Sequence, residues 1–112
     1  MNKKIFGAKG KVYIKYDGEL AELGKVLSMG LQIPEFRIKN DTAPPYSPTA
    51  MSEAFGFESW LNQTNDEKWD YEFEISTMHS LLETGTENMH DLSEWLKRYV
   101  VDICDIKAET EK

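Results

Sequence analysis

The sequence predicts an α+β fold in which two helices cover one face of an antiparallel sheet, and three observations predict it. The run Trp69-Asp70-Tyr71-Glu72-Phe73-Glu74-Ile75 alternates apolar and acidic residues without a miss. That period of two marks a strand with one buried and one wet face. Leu20, Leu23, Leu27 and Leu31 recur at spacings of three and four, with Val26 alongside, the stripe of an amphipathic helix. Leu92, Trp95, Leu96, Tyr99, Val100 and Ile103 make a second, wider stripe of the same period. Both stripes need a sheet to cover.

Taken in order, residues 11–16 read as the first clear strand, with residues 5–10 a short leading strand whose glycines supply a turn or bulge. Asp17 stands where it can N-cap a helix over residues 19–29, which Gly30 stops. Gly24 inside that helix implies close approach of a neighbour. Residues 35–40 read as the second strand, begun by Pro34. Three prolines, Pro44, Pro45 and Pro48, then exclude regular structure and leave a stiff exposed loop. Residues 49–65 read two ways at their start, as strand or as one helical turn at residues 51–54, before a strand over residues 57–63. Thr64-Asn65-Asp66-Glu67 suits a four-residue turn, and residues 68–77 return as the hairpin partner. Residues 78–88 read as a loop with a helical turn at residues 79–82. Asp91-Leu92-Ser93-Glu94 has the form of a capping box for the second helix. Residues 104–108 close as a strand and residues 109–112 fray. The order is that of a ferredoxin-like βαββαβ sandwich with an extra strand or hairpin.

The 112 residues fit one domain. Apolar content of 40% and aromatic content of 12% provide a core without staples. Cys104 is the single cysteine, so no internal disulfide forms and a reducing, cytoplasmic setting is expected. No apolar run approaches membrane-spanning length, and the lysines at the N-terminus are not followed by an apolar signal region. The net charge of −7 is unevenly spread. Residues 1–39 hold eight Lys/Arg against four Asp/Glu, and residues 40–112 hold five against sixteen. A surface of that sign repels a phosphate backbone, so direct nucleic-acid binding is not expected. It steers basic proteins toward itself instead, or serves solubility alone.

Catalytic and metal signatures are weak. His79, His90 and Cys104 are spaced by eleven and fourteen residues, which matches no structural zinc pattern. Cys104 ends an apolar stripe beside Asp102 and Asp105, neighbours that oppose a reactive thiolate. Gly7-Ala8-Lys9-Gly10-Lys11 lacks phosphate-loop spacing and has Val12 where Ser or Thr belongs. Neither cofactor nor enzyme activity is therefore expected. Asp70, Glu72 and Glu74 share one strand face about 6.5 to 7 Å apart, a face that is either simply solvated or a docking surface. Glu58, Asp66 and Glu67 extend the acidic side toward the hairpin turn. Trp60 faces the same side or caps a core edge, and Tyr46 sits in the proline loop. Aromatics rimmed by acid have the composition of a binding hot spot.

Four stretches carry a resemblance: Pro44-Pro45-Tyr46, the segment with Glu53, Gly56-Phe57-Glu58 and Trp60-Leu61, the strand Tyr71-Glu72-Phe73-Glu74-Ile75, and Asp91-Leu92-Ser93 with Trp95-Leu96. Over roughly residues 44–100 the chain resembles the small acidic immunity proteins of bacterial toxin–immunity systems, including those of contact-dependent growth inhibition. The resemblance implies a cytoplasmic protein that is no enzyme. It implies one cognate toxin partner, often a basic nuclease domain, neutralised by plugging or flanking its active site. It assigns no residue roles. Two other expectations stand beside it: a small-molecule-binding regulatory domain, and a phage-type inhibitor of a nucleic-acid enzyme.

Overall fold

Eight residues, Ala8–Lys15, form β1. Ala8, Gly10, Val12 and Ile14 turn inward, while Lys9, Lys11, Tyr13 and Lys15 face outward. Residues 8–10 of the expected leading segment and residues 11–15 of the expected first strand are thus one element, and residues 5 and 6 lie outside the described residues. The computed structural model describes residues 7–39, 49–54, 56–64, 66–77 and 90–111. Tyr46, the proline loop and residues 78–88 lie outside them.

Helix α1 spans Leu20–Leu31 and buries Leu20, Leu23, Gly24, Leu27 and Ser28. Its boundaries depart from expectation at both ends. Glu19, not Asp17, holds the N-cap position, and no side chain caps the helix there. Gly30 lies within the helix rather than ending it, and a Cβ there would come 2.5 Å from Cys104 Sγ. The stop falls to Gln32, whose φ of 57° is left-handed. A Cβ on Gly24 would meet Phe36, just before the next strand, at 3.4 Å, an ordinary contact, so close approach does not require the glycine.

Strands β2 (Arg37–Lys39), β3 (Thr49–Ala54), β4 (Phe57–Gln63) and β5 (Tyr71–Thr77) follow as an antiparallel meander. The helical alternative at residues 51–54 is therefore excluded: Met51 to Ala54 pair residue by residue with Trp60 to Phe57, and Ala50, Met51 and Ser52 are all buried. The hairpin partner begins three residues later than expected, because Asp66 Oδ1 accepts the amides of Lys68 (2.8 Å) and Trp69 (3.3 Å) and holds them in the turn. Trp69 is buried, yet outside the main core cluster. The ammonium groups of Lys68 and Lys107 lie 5.5 and 6.0 Å from its ring, within cation–π range. Among the described residues its indole N–H meets no acceptor.

Strand β6 (His90–Asp91) runs parallel to β1, and β7 (Lys107–Glu109) pairs with β1 antiparallel. The sheet therefore reads β2-β3-β4-β5-β1, with β6 and β7 both on β1. The α+β class holds, whereas the strand order does not reproduce the expected ferredoxin-like plan. A helix follows the first strand and another precedes the last, but four consecutive strands form the meander between them, and β1 lies antiparallel to β5.

Helix α2 (Ser93–Arg98) continues as a π-helical turn, Tyr99–Ile103. The expected capping box is absent. The Asp91 carboxylate accepts Ser93 N–H (3.0 Å) and Ser93 Oγ–H (2.6 Å), not the Glu94 amide. Those bonds hold its carboxyl below the usual carboxylate range. Gly10 is what lets this helix start sit on the sheet. A Cβ there would meet the Leu92 carbonyl carbon at 3.1 Å and the Ser93 nitrogen at 3.2 Å. The core lies between the inner sheet face and both helices, around Val12, Ile14, Leu23, Leu27, Leu61 and Phe73, each fully buried. Each such side chain contributes about 1.5–3 kcal/mol.

Candidate functional site

Two depressions flank the sheet, one polar and one apolar. The polar one forms where β1 ends beside the β4–β5 turn. Asp70 ties these pieces together: its Oδ2 accepts the Tyr16 amide at 2.9 Å, its Oδ1 meets Lys15 Nζ at 3.4 Å, and its own amide donates to Ile14 O at 3.0 Å. Thr64 closes the turn by donating its amide to Asp70 O and its hydroxyl to Trp69 O. Tyr71 donates its hydroxyl to Gly18 O at 2.6 Å, and Tyr16 donates to Glu22 Oε1 at 2.8 Å.

The resulting cleft encloses about 390 Å³, and Asp17, Asp66 and Asp70 are among the residues that line it. Its electrostatics are negative. The Tyr71 phenol is pushed up by burial and, further, by the charges of Asp70, Glu19 and Glu22, while a bond with Gln63 opposes them. The Tyr16 phenol is pushed up first by its bond to Glu22 and then by burial. Both phenols therefore stay neutral, and the cleft presents carboxylates. A guanidinium or ammonium group is the ligand such a site selects. Among the described residues no three acidic, histidine or cysteine side chains are grouped to hold a metal ion.

The structure thus brings together two of the residues singled out in the sequence, Asp66 and Asp70, and separates them from the rest. Glu58, Trp60, Glu72 and Glu74 lie on the outer sheet face, where Trp60 is directly opposite Glu74. Trp60 Nε1 donates to Glu58 at 3.2 Å. Glu67 is exposed on the turn. The outer face is not the uniformly acidic surface expected from one strand. β1 pairs with β5 so that Lys11 stands opposite Glu74, within 3.7 Å of Glu72 and 3.8 Å of Glu74. Arg37 pairs with Glu53, and Lys97 with Glu109. Strand pairing has distributed the basic first third of the chain among the acids of the remainder. Asp17 was legible only as a capping residue; the carboxylate makes no ion pair with a described residue and joins the cleft through the β1–β5 pairing.

The apolar depression is larger, about 600 Å³, and opens on the helical side between the end of α1, the inner faces of β3 to β5, and the α2–π segment. Its walls include Leu31, Phe57, Phe73, Ile75, Tyr99 and Ile103. The second stripe of the sequence is only half core. Leu96 and Val100 are buried, whereas Trp95 is 64% exposed, Ile103 51% and Tyr99 47%. A stripe of six apolar residues within twelve positions is wider than one sheet contact covers, and that width was the available signal. Burial pushes the Cys104 thiol upward, in keeping with an inert, packed cysteine. No helix among the described residues is long and apolar enough to cross a membrane. No family model, no curated protein and no solved structure matches the chain.

Proposed function

We propose that this chain is a neutralising partner of a basic protein: an immunity protein that acts in the cytoplasm of the producing cell and blocks a cognate toxin domain of nuclease type. The observation that carries the reading is the cleft that Asp17, Asp66 and Asp70 line, a receptor for one basic side chain of the partner. The net charge of −7 adds long-range attraction that speeds encounter. The role requires no catalysis and no cofactor. A phage-type inhibitor of a nucleic-acid enzyme would use the same surface, and the identity of the basic partner separates the two.

The test is binding to the toxin domain encoded directly upstream, with growth rescue on co-expression. Association is expected to slow as salt rises. Asp17→Lys is expected to weaken binding about tenfold or more, on the order of 1.4 kcal/mol, while leaving the melting temperature in place. Salt-independent association, or unchanged affinity in Asp17→Lys, removes the cleft from the mechanism. The second reading, a small-molecule-binding regulatory domain, is favoured by the apolar cleft. Its volume of about 600 Å³ lies within the ~300–1,000 Å³ typical of ligand sites. A ligand-dependent rise in melting temperature without any protein partner would support it.

A further inference from the structure

We infer that the apolar cleft is a docking groove for an amphipathic segment of a protein partner, one that carries lysine or arginine beside its apolar anchors. The inference stands independently of the acidic cleft and of the toxin reading. It begins with where the two helices end. Helix α1 ends at Leu31 with left-handed Gln32, and the π-helical turn ends at Ile103, two residues before left-handed Asp105. The two ends lie against each other, since a Cβ on Gly30 would touch Cys104 Sγ. Ser28, Tyr99 and Val100 carbonyls accept from the Ile33, Cys104 and Ile106 amides; the carbonyls after them have no intrahelical donors, and each helix end carries about half a negative charge. Neither has a basic residue in its last turn. Exposed Asp102, which lines the shallow depression next to the cleft, and exposed Asp105, two residues past the end of the π-helical turn, add negative charge near these ends. Arg98, beside Asp102 on the outer lip, is the one cation among the residues that line this cleft and the shallow depression next to it.

The anchors are equally specific. Trp95, Tyr99 and Ile103 follow one another at intervals of four along the lip, and Met29 on α1 is 79% exposed. In a continuous α-helix, residues four apart drift by about 40° around the axis. The wider π turn rotates less per residue and reverses that drift, so Ile103 returns toward the line through Trp95. The result is a straight apolar ridge beside an apolar trough. An apolar segment alone would fill the trough but leave the carbonyl ends and the two aspartates unmatched. A segment with a basic residue next to its anchors satisfies both, because Lys and Arg cap helix C-termini.

Panning a display library of random helical peptides against the protein tests this, with counter-selection on a Trp95→Ser, Tyr99→Ser, Ile103→Ser variant. All three positions are exposed, and the buried Leu96 and Val100 are left in place. The expected result is enrichment of peptides with two or more Lys/Arg and apolar residues four apart. The synthesised peptides are expected to bind Asp102→Lys about tenfold more weakly than wild type, with a marked loss at high salt. Peptides without net positive charge, peptides that bind the serine variant equally, or no peptide that discriminates the two would overturn the inference. So would entry of the neutral fluorophore N-phenyl-1-naphthylamine without displacement by peptide, which assigns the cleft to a small molecule. Failure of the upstream toxin domain to bind leaves each of these readouts unchanged.

Discussion

Asp70 separates scaffold from function by a two-variant comparison. Its carboxylate, 36% exposed, accepts the Tyr16 amide at 2.9 Å and pairs with Lys15 at 3.4 Å. A hydrogen bond from an amide to a charged acceptor is worth about 1.5–3 kcal/mol, and partial exposure puts this one near the lower end. The lysine pair adds roughly 0–1 kcal/mol because both groups meet water. Asp70→Ala loses both and leaves the end of β1 without its acceptor, for an expected loss of about 2 kcal/mol. Asp70→Asn keeps a carbonyl oxygen aimed at the Tyr16 amide and gives up only the charge, for about 0.5–1 kcal/mol. Urea melts monitored by tryptophan fluorescence measure both, with the dependence on denaturant expected to be unchanged. For a domain of this size the alanine loss corresponds to a fall of about 8 °C in melting temperature. Binding should order the variants differently: Asn and Ala both remove the negative charge and both weaken a basic partner. The reasoning fails if Asn costs as much stability as Ala, or if Ala costs nothing.

Phe73→Ala empties a fully buried site at the sheet centre and should destabilise by about 3–5 kcal/mol in the same melts. Gln32→Gly relieves a left-handed residue at the end of α1 and is expected to stabilise by about 0.5–1 kcal/mol, read as a rise in the urea midpoint. The Tyr71 phenol is raised in the folded state from its ordinary 10.0, chiefly by burial. Its contribution is therefore fully present below pH 10.0 and is lost as pH rises through the higher folded value. Tyr71→Phe should accordingly lose about 1 kcal/mol at neutral pH, from the bond to Gly18. It should also show a flatter alkaline decline, with Tyr16, Cys104 and Lys97, which are raised as well, among the groups that supply what remains; an identical decline in both proteins would remove Tyr71 as its source. Gly10→Val should strongly destabilise the fold, since the added carbon meets helix backbone that has no rotamer to yield.

Local periodicity carried most of the secondary structure. The alternation over Tyr71 to Ile75 and the leucine spacing of α1 appear in the fold as written, because burial on one side is a property of the strand or helix itself. Where side chains choose among partners, sequence was a weaker guide. Asp91 found Ser93 instead of Glu94, Asp17 left the N-cap position to Glu19, and Trp69 with Asp70 stayed in the turn because Asp66 bonds their neighbourhood into it. These are competitions between bonds of similar strength, decided by which donor the surrounding backbone brings closest.

By itself, then, the sequence determined an α+β chain with two amphipathic helices, an acidic balance and a lone packed cysteine. Tertiary structure decided where the charge is displayed. By laying β1 antiparallel to β5, it set Lys11 between Glu72 and Glu74. That pairing offset part of the charge on the strand that had looked most acidic and left Asp17, Asp66 and Asp70 lining one cleft. It likewise decided that Trp95, Tyr99 and Ile103 stay outside while Leu96 and Val100 go in. The physical reason is common to both: periodicity reports which residues share a face, but only the packing of one element on another determines how much of that face is covered.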